Sequence, residues 1–320
     1  MELRRPKRKR TVAEKSWRFL VFLSRFVLVA LIMLAWFQRS LIYHPTKSDR
    51  LPAKDSELVQ AVTDVQVVTH DKHPLNGWLA LAGARKSADE PDVPKLLSQE
   101  RPLVIVFPGN GGHRVMRQSL LHALGALGAD AMIFDHRGFG DNGGSPTETH
   151  LVRDAHTVWK FATDELKVPA RRIVLYGESL GGGVATRLAG DLCAEGIEPG
   201  GLIIQASFSS LVDAGRHHFP VLPVSLLLID RFESEKHIQR ATCPYLHLHG
   251  ARDVVVPLKL GQKLFRAAPE KSLSGIPKQF VQLPNANHND VYGPDVKLVA
   301  SAVQNFLTGV KLRATAVPSK

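Results

Sequence analysis

The chain has 320 residues, 44% of them hydrophobic, which is enough to bury a full core in one large domain or two modest ones. Its formal net charge of +11 is concentrated at one end, because residues 1–18 hold eight Lys or Arg against two Glu, a net +6. The rest of the chain is only mildly basic and does not interleave basic with aromatic residues, so a nucleic-acid partner is not expected.

A membrane-spanning helix is predicted at residues 19–37, directly after this basic segment, with the sequence "FLVFLSRFVLVALIMLAWF". A helix of that length spans about 28 Å, close to the hydrocarbon thickness of a bilayer. Arg25 lies off centre and can extend towards the basic end. No small-x-small cleavage site follows the span. The pattern therefore favours an uncleaved signal anchor over a cleaved signal peptide or a buried helix of the main domain.

The flanking charges predict the orientation of this anchor. Eight Lys or Arg precede the span and only Arg39, Lys47, Arg50 and Lys54 follow closely, so the N-terminus is expected in the cytoplasm. The remainder of this single-pass membrane protein would then face the periplasm or another extracytoplasmic compartment. Cys193 and Cys243 could pair there or remain two buried thiols, and the oligomeric state is left open.

The segments that follow are predicted in chain order. Residues 38–59, polar and interrupted by prolines, are interpreted as a tether, residues 60–310 as the folded domain and residues 311–320 as a loose tail. The domain begins with a predicted hairpin, "VQVVT" and "LNGWLALA". Strands and helices are then expected to alternate through "LVIVFPG", "RVMRQSLLHALGALG", "AMIFDHRG", "THLVRDAHTVWKFATDELKV", "RIVLYG", "SLGGGVATRLAGDLCAEG", "GLIIQASF", "PYLHLHG", "LGQKLFRAAP", "KQFVQLP" and "DVKLVASAVQNFLTGV".

This alternation predicts an α/β domain with a mostly parallel central sheet and helices on both faces. An apolar-rich insertion at residues 209–237 interrupts it and is interpreted as a small lid. Two interpretations of the lid stay open. It could cap the core as an ordinary helical element, or it could wall an apolar cleft for an acyl chain, even dipping into the bilayer beside the anchor.

In a sheet of this kind, reactive side chains collect at the carboxyl ends of the strands. Ser179, in "YGESLGGG", directly follows a predicted strand and begins a helix, and the flanking glycines permit a sharp turn. Alone, this pattern also fits an ordinary glycine-rich bend. Asp253, in "HGARDVVVP", and His288, in "LPNANHND", follow two later strands. Together they predict a serine nucleophile, a histidine base and an acid that orients it, with Asp230 and Asp290 as weaker candidates for the acid.

A pair of backbone N–H groups is predicted to stabilise the oxyanion that such a nucleophile generates. One belongs to Leu180, at the start of the helix after Ser179, and the other to Asn110, in "FPGNGGH" after the first central strand. The alternative for the second segment is a plain glycine-rich turn. No metal or organic cofactor is required by this chemistry.

The order Ser179, Asp253, His288 is that of the α/β-hydrolases, and the chain resembles their membrane-anchored branch, which includes protein depalmitoylases, lysophosphatidylserine lipases and bacterial relatives. The resemblance covers about residues 41–310. One departure is Pro108-Gly109-Asn110, where this branch usually has His-Gly-Asn. The motifs that carry the resemblance are "LIYHP", "FPGNGGHR", "FDHRGFGDNGGSPTE", "YGESLGGGVA", "QASFSSL", "CPYLHLHGARDVVVP" and "NHND".

The resemblance implies an α/β-hydrolase fold and a serine hydrolase that cleaves carboxylic ester or thioester bonds of a small-molecule or lipid acyl substrate through an acyl-enzyme. A peptidase, amidase or lactone hydrolase would use the same residues, so these activities stay open. A membrane-anchored scaffold without activity is the alternative from a different class of protein.

Overall fold

The computed structural model describes residues 11–87 and 91–315. The strands are β1 (Gln60–Val68), β2 (Pro74–Arg85), β3 (Leu103–Phe107), β4 (Asp130–Phe134), β5 (Ile173–Glu178), β6 (Gly201–Gln205), β7 (Tyr245–Gly250) and β8 (Gln279–Leu283). The helices are α1 (Val12–Ile42), α2 (Val93–Leu97), α3 (Gln118–Ala126), α4 (Glu148–Lys160), α5 (Leu180–Ala194), α6 (Leu211–His218), α7 (Val224–Leu227), α8 (Ser234–Ile238), α9 (Leu258–Ala267) and α10 (Val296–Thr315).

The strands form one eight-stranded sheet in the order β1-β2-β4-β3-β5-β6-β7-β8. The predicted hairpin is the antiparallel pair β1 and β2, and β2 also runs antiparallel to β4. From β4 to β8 every neighbouring pair is parallel. Crossovers therefore bring the carboxyl ends of β3, β5, β7 and β8 to one edge of the sheet, where the reactive residues are predicted.

Helices cover both faces of this sheet, as predicted. Side chains of α3 and α10 pack with one face of the central strands, and those of α4, α5 and α9 pack with the other. Strands β3 and β4 are buried along their whole length, which explains why they read as continuous apolar runs rather than alternating ones. The α/β-hydrolase fold expected from the sequence is confirmed.

The N-terminal helix α1 begins with a capping box, in which the Thr11 side chain accepts from the Glu14 N–H while the Glu14 carboxylate accepts from the Thr11 N–H. Of the helices in residues 11–87 and 91–315, α1 is the one long and apolar enough to cross a membrane. It continues to Ile42, beyond the predicted end of the span at residue 37, and Gln38 near its C-terminal end is buried.

The segment at residues 38–59, interpreted from the sequence as a tether, packs against the domain. Tyr43, Leu51 and Leu58 are buried, and the Trp78 indole N–H donates to the Leu51 carbonyl at 2.9 Å. Residues 311–315, expected in a loose tail, continue α10, and the Arg313 guanidinium donates to the Gly200 carbonyl at 3.0 Å. Both segments look polar in the sequence, but a few apolar anchors and side-chain hydrogen bonds hold them to the fold.

Candidate active site

Ser179 lies at a sharp turn between β5 and α5. Its backbone has φ 50° and ψ −111°, a conformation that residues with a side chain rarely adopt and that costs about 1–3 kcal/mol. Two hydrogen bonds hold the backbone in this conformation. The Ser179 N–H donates to the Gln205 carbonyl at 2.9 Å, and the Ser207 hydroxyl donates to the Ser179 carbonyl at 2.8 Å. The surrounding structure thus holds the Ser179 side chain above the end of the strand.

The turn needs glycine on both sides of Ser179. A Cβ atom on Gly177 would lie 2.6 Å from the Gly181 carbonyl oxygen, and one on Gly181 would lie 2.0 Å from the Phe107 carbonyl oxygen. These contacts are with backbone, which cannot move aside as a side chain can. The two glycines of the motif are therefore required by close packing of α5 against β5 and β3.

The three residues predicted as nucleophile, base and acid form one hydrogen-bonded chain. The Ser179 Oγ atom lies 3.0 Å from His288 Nε2, and His288 Nδ1 lies 2.8 Å from Asp253 Oδ2. The Asp253 carboxylate is fully buried, whereas about a tenth of the His288 side chain is exposed. Asp290, the alternative acid, accepts instead from the Asn287 N–H at 2.5 Å, and Asp230 accepts from Arg39 and Tyr43.

The second oxygen of the Asp253 carboxylate fixes its orientation. Oδ1 accepts from the N–H groups of Val255 and Val256 at 2.9 and 2.7 Å, which leaves Oδ2 directed at His288. A carboxylate held in this way accepts from Nδ1–H of the imidazole and leaves Nε2 free to take a proton from the Ser179 hydroxyl. An arrangement with these distances can activate a serine hydroxyl as a nucleophile.

A row of buried, hydrogen-bonded side chains on β7 ends beside the Asp253 carboxylate. Tyr245 Oη lies 2.6 Å from His247 Nδ1, His247 Nε2 lies 3.2 Å from His249 Nδ1, and His249 Nε2 lies 2.8 Å from the Val256 carbonyl. Because that carbonyl can only accept, each ring donates through Nε2 and accepts through Nδ1. Burial lowers the pKa of both histidines, so the rings are neutral at neutral pH. The sequence gives no sign of this row beyond its alternating spacing.

The turn after β3 lies beside Ser179. A Cβ atom on Gly109 would lie 3.5 Å from the Ser179 Cβ, and Asn110 and Leu180 line the same cleft as Ser179. Leu180 is the first residue of α5, so its N–H has no acceptor within the helix. Asn110 and Leu180, which carry the two predicted N–H donors, thus lie in the same cleft as the serine, and Asn110 follows Pro108 and Gly109.

His136 supports this proline-containing turn from below. The ring is buried, and its Nε2 lies 2.9 Å from the Pro108 carbonyl, so Nε2 carries a hydrogen and donates. Burial lowers the pKa of His136 to about 4, and the hydrogen bond to Pro108 only partly opposes this. Neither the contact nor the shift could be read from the sequence.

The buried His136 ring predicts a loss of stability in acid. Its pKa is about 6.5 in the unfolded chain and about 4 in the fold, so between these values the unfolded state binds the extra proton. The free energy of unfolding should therefore fall as the pH drops from 6.5 to 4, by about 3 kcal/mol from this residue. His136→Gln keeps an N–H donor for Pro108, and its denaturant midpoint should depend less on pH over this range.

His122 provides the control for this measurement, because its side chain is exposed. His122→Gln should follow the wild-type pH profile. Equal acid sensitivity of His136→Gln and the wild type would assign the effect to other groups.

Ser179 and His288 lie in a cleft of about 1140 Å³ that is lined mainly by apolar side chains. One wall consists of the lid helices α6 and α7. A second wall is the C-terminal end of α1, through Leu34, Gln38, Leu41 and Ile42. The Asn110 side chain joins this wall to the turn after β3, since its Nδ2 donates to the Ile42 carbonyl at 2.5 Å and its Oδ1 accepts from the His44 N–H at 3.3 Å.

An ion pair also borders the cleft. The Arg117 guanidinium donates from Nε to Glu178 Oε2 at 3.0 Å and from Nη2 to Oε1 at 3.2 Å. Glu178 directly precedes Ser179, and its carboxylate is occupied by this ion pair. Within residues 11–87 and 91–315, no group of three or more His, Cys, Asp or Glu is arranged to hold a metal ion.

The proteins to which this chain is similar include hydrolases. Residues 98–220 match the family described as serine aminopeptidase, S33. The uncharacterized protein Rv2307c of Mycobacterium tuberculosis is 35% identical over 92% of this chain and 96% of its own length. Lysophosphatidylserine lipase ABHD12 is 32% identical in Danio rerio, over 62% of this chain and 56% of the relative, and in Bos taurus, over 58% and 50%. The chain thus spans about half the length of these lipases.

Solved structures show the same fold at low sequence identity. The esterase Pf2001 of Pyrococcus furiosus aligns with a TM-score of 0.61 and 19% identity over 83% of this chain and 97% of its own. Est1E of Butyrivibrio proteoclasticus aligns with a TM-score of 0.57 and 19% identity over 77% and 98%.

Fold, site and relatives together define an enzyme of the serine hydrolase class. The chain belongs to the α/β-hydrolase superfamily and resembles the ABHD12 lysophosphatidylserine lipases.

Proposed function

We propose that the protein is a membrane-anchored hydrolase of carboxylic ester or thioester bonds, with Ser179 as nucleophile, His288 as general base and Asp253 as the acid that orients it. The hydrogen-bonded chain from Ser179 Oγ to Asp253 is the observation that carries the proposal. An inactive scaffold would not need the strained turn at Ser179, since strain of this kind persists at sites where it serves a mechanism.

The reaction would proceed in two stages. Ser179 Oγ attacks the acyl carbonyl as its proton passes to His288 Nε2, and the oxyanion accepts from the N–H groups of Asn110 and Leu180. The alcohol or thiol leaves with the proton from His288. Water then attacks the acyl-enzyme, with His288 again as base, and the carboxylic acid and free Ser179 are regenerated.

The apolar lining of the cleft supports an acyl-type substrate. A cleft of about 1140 Å³ between α1 and the lid is slightly larger than the usual range of about 300–1,000 Å³ for small-molecule sites. The name of the ABHD12 relatives gives a lipid as their substrate, which agrees with this lining. The matching family is named for an aminopeptidase, so amide hydrolysis is the second candidate.

A substrate panel separates these candidates. We expect 4-nitrophenyl esters and acyl thioesters to be hydrolysed with kcat/KM rising from short to medium acyl chains, because each added CH₂ buries apolar surface in the cleft. Aminoacyl anilides should be poor substrates. Anilide hydrolysis faster than that of the matched esters would favour the peptidase assignment.

The apolar α1 and the basic residues 1–18 support anchoring at a membrane, with the N-terminus in the cytoplasm and the catalytic domain on the extracytoplasmic side. A reporter enzyme active only outside the cytoplasm, fused after residue 320, tests this orientation. Activity of an N-terminal fusion instead would reverse it.

Deletion of residues 1–37 should spare hydrolysis of short soluble esters while lowering turnover of esters embedded in vesicles at least about tenfold. The buried Gln38 and the rest of the cleft wall after it remain in this variant, so the site itself should persist. Equal loss on both kinds of substrate would contradict a role for α1 in reaching the bilayer.

A further inference from the structure

One side of α1 packs against the domain well inside its apolar stretch. Ala30, Leu31, Leu34 and Ala35 are partly buried and Gln38 is buried, a spacing of three to four residues that marks a single helix face. The opposite face is exposed, and α1 contacts α7 of the lid. The contact face begins seven residues before the end of the predicted span, a length of about 10 Å along the helix.

Side-chain hydrogen bonds fix the lid to this face. The Gln38 amide donates to the Leu227 carbonyl at 3.1 Å and accepts from the Ile229 N–H at 2.7 Å. At the next residue of the lid, the Asp230 carboxylate accepts from Arg39 Nε at 3.2 Å and from the Tyr43 hydroxyl at 3.1 Å. The lid and the end of α1 therefore occupy a fixed position relative to each other, and the lid lies beside the C-terminal end of the helix.

The outer surface of the lid is apolar next to these contacts. Val221 is 91% exposed and Leu226 is 85% exposed, and Phe219 and Ile229 are also exposed. Residues 216–229, which hold all four, include no acidic residue. A contiguous apolar surface of this kind is unfavourable in water and marks an interaction site.

The length of α1 decides what covers this surface. About 20 apolar residues are needed to cross a bilayer, and the apolar stretch of α1 ends at Phe37. A span that uses this stretch places residues 30–37 inside the bilayer, and the lid, which contacts α1 through α7 and is hydrogen-bonded to Gln38, must lie beside the end of this stretch. Raising the lid into water would withdraw the end of the apolar helix from the hydrocarbon.

We propose that the outer surface of the lid, formed by Phe219, Val221, Leu226 and Ile229, is embedded in the same leaflet as the end of α1, so that the cleft opens into the bilayer. Phe219 also lines the cleft, and it therefore joins the embedded surface to the site of Ser179. An acyl chain would then enter from the leaflet along α1 without crossing water. The acyl substrate in this inference rests on the proposed esterase function. The embedded surface rests on the position of the lid alone.

A charge on this surface tests the proposal. In the full chain reconstituted into phosphatidylcholine vesicles, Leu226→Glu should lower turnover of a vesicle-embedded long-chain ester about tenfold or more, because a carboxylate resists insertion. Hydrolysis of a short soluble ester should stay at the wild-type rate, since Leu226 does not line the cleft. Unchanged turnover of the embedded ester would overturn the proposal.

Leu273 is the matched control. It is 75% exposed, and its N–H donates to the Thr242 carbonyl, just before β7, at the amino end of the sheet and away from the cleft. Leu273→Glu should leave both rates unchanged. A fall in turnover of the embedded ester equal to that of Leu226→Glu would trace the effect to net charge and overturn the proposal.

Photocrosslinking gives a measurement that needs no turnover. Benzoylphenylalanine in place of Leu226 should crosslink to phosphatidylcholine acyl chains, and the same group in place of Leu273 should not. Crosslinking to a second copy of the chain would assign the surface to a dimer and overturn the proposal. Lipid crosslinking in a protein that hydrolyses neither ester would support the bilayer contact while contradicting the esterase function, so the two failures are distinguishable.

Discussion

Replacement of Ser179 by alanine should lower kcat for ester hydrolysis by about 10⁴–10⁶-fold and abolish labelling by a fluorophosphonate probe. The loss is large because the attacking oxygen is removed, while the N–H donors of Asn110 and Leu180 and the cleft remain to give weak residual catalysis. KM should change little, since the Ser179 hydroxyl forms its bond to substrate in the transition state. Initial rates and gel detection of the labelled protein measure both effects.

Ser119 provides the control for this experiment. It lines the same cleft, and within residues 11–87 and 91–315 its hydroxyl forms no hydrogen bond to a histidine. Ser119→Ala should keep full labelling and activity. Labelling of Ser179→Ala at wild-type strength would remove Ser179 from the proposed mechanism. His288→Gln should lose activity to nearly the same extent as Ser179→Ala, because nucleophile and base act as a unit.

Replacement of Gly181 by alanine should have the largest effect on folding. The added methyl group would lie 2.0 Å from the Phe107 carbonyl oxygen and 2.5 Å from the Pro108 carbonyl oxygen, and neither backbone atom can move without displacing β3 or the turn after it. We expect destabilisation of about 4 kcal/mol or more, or no soluble protein. Any folded fraction should be inactive, since the same displacement moves Asn110.

Gly111 is the matched position, because a Cβ atom there would meet no atom within 4 Å. Gly111→Ala should unfold at the wild-type denaturant concentration. A Gly181→Ala protein that unfolds at the same midpoint as Gly111→Ala would show that the turn is looser than these distances indicate.

The sheet and the juxtaposition of Ser179, Asp253 and His288 could be predicted because they depend on local patterns. Continuous apolar runs such as β3 mark buried parallel strands, and Ser179, Asp253 and His288 each follow a strand whose carboxyl end lies at the same edge. Parallel pairing then brings together side chains more than a hundred residues apart, as with Ser179 and His288. The glycine spacing around Ser179 reflects a steric need that is visible in the sequence itself.

The buried side chains that hold these residues in position could not be predicted. Their contacts join residues far apart in the sequence, and no local motif marks them. His136 beneath Pro108 is one histidine among 14, and nothing local marks it as buried. The alternation of Tyr245, His247 and His249 is typical of any strand with one polar face, and only the packed structure shows the three in one hydrogen-bonded chain. The predicted end of the membrane span at residue 37 likewise follows from hydropathy alone. Hydropathy gives no sign that the polar Gln38 is buried and that α1 continues to Ile42.

The contact between Gln38 and the lid also orders events during synthesis of the chain. Leu227, whose carbonyl accepts from Gln38, is made 189 residues after it. At about 5–20 residues per second, Gln38 is synthesised roughly 10–40 s before its partner. The first helix made therefore precedes the lid, and the wall of the cleft that it provides is complete only when the lid has also been made. Newly made chains acquire a closed cleft only after the N-terminal helix and the lid have met.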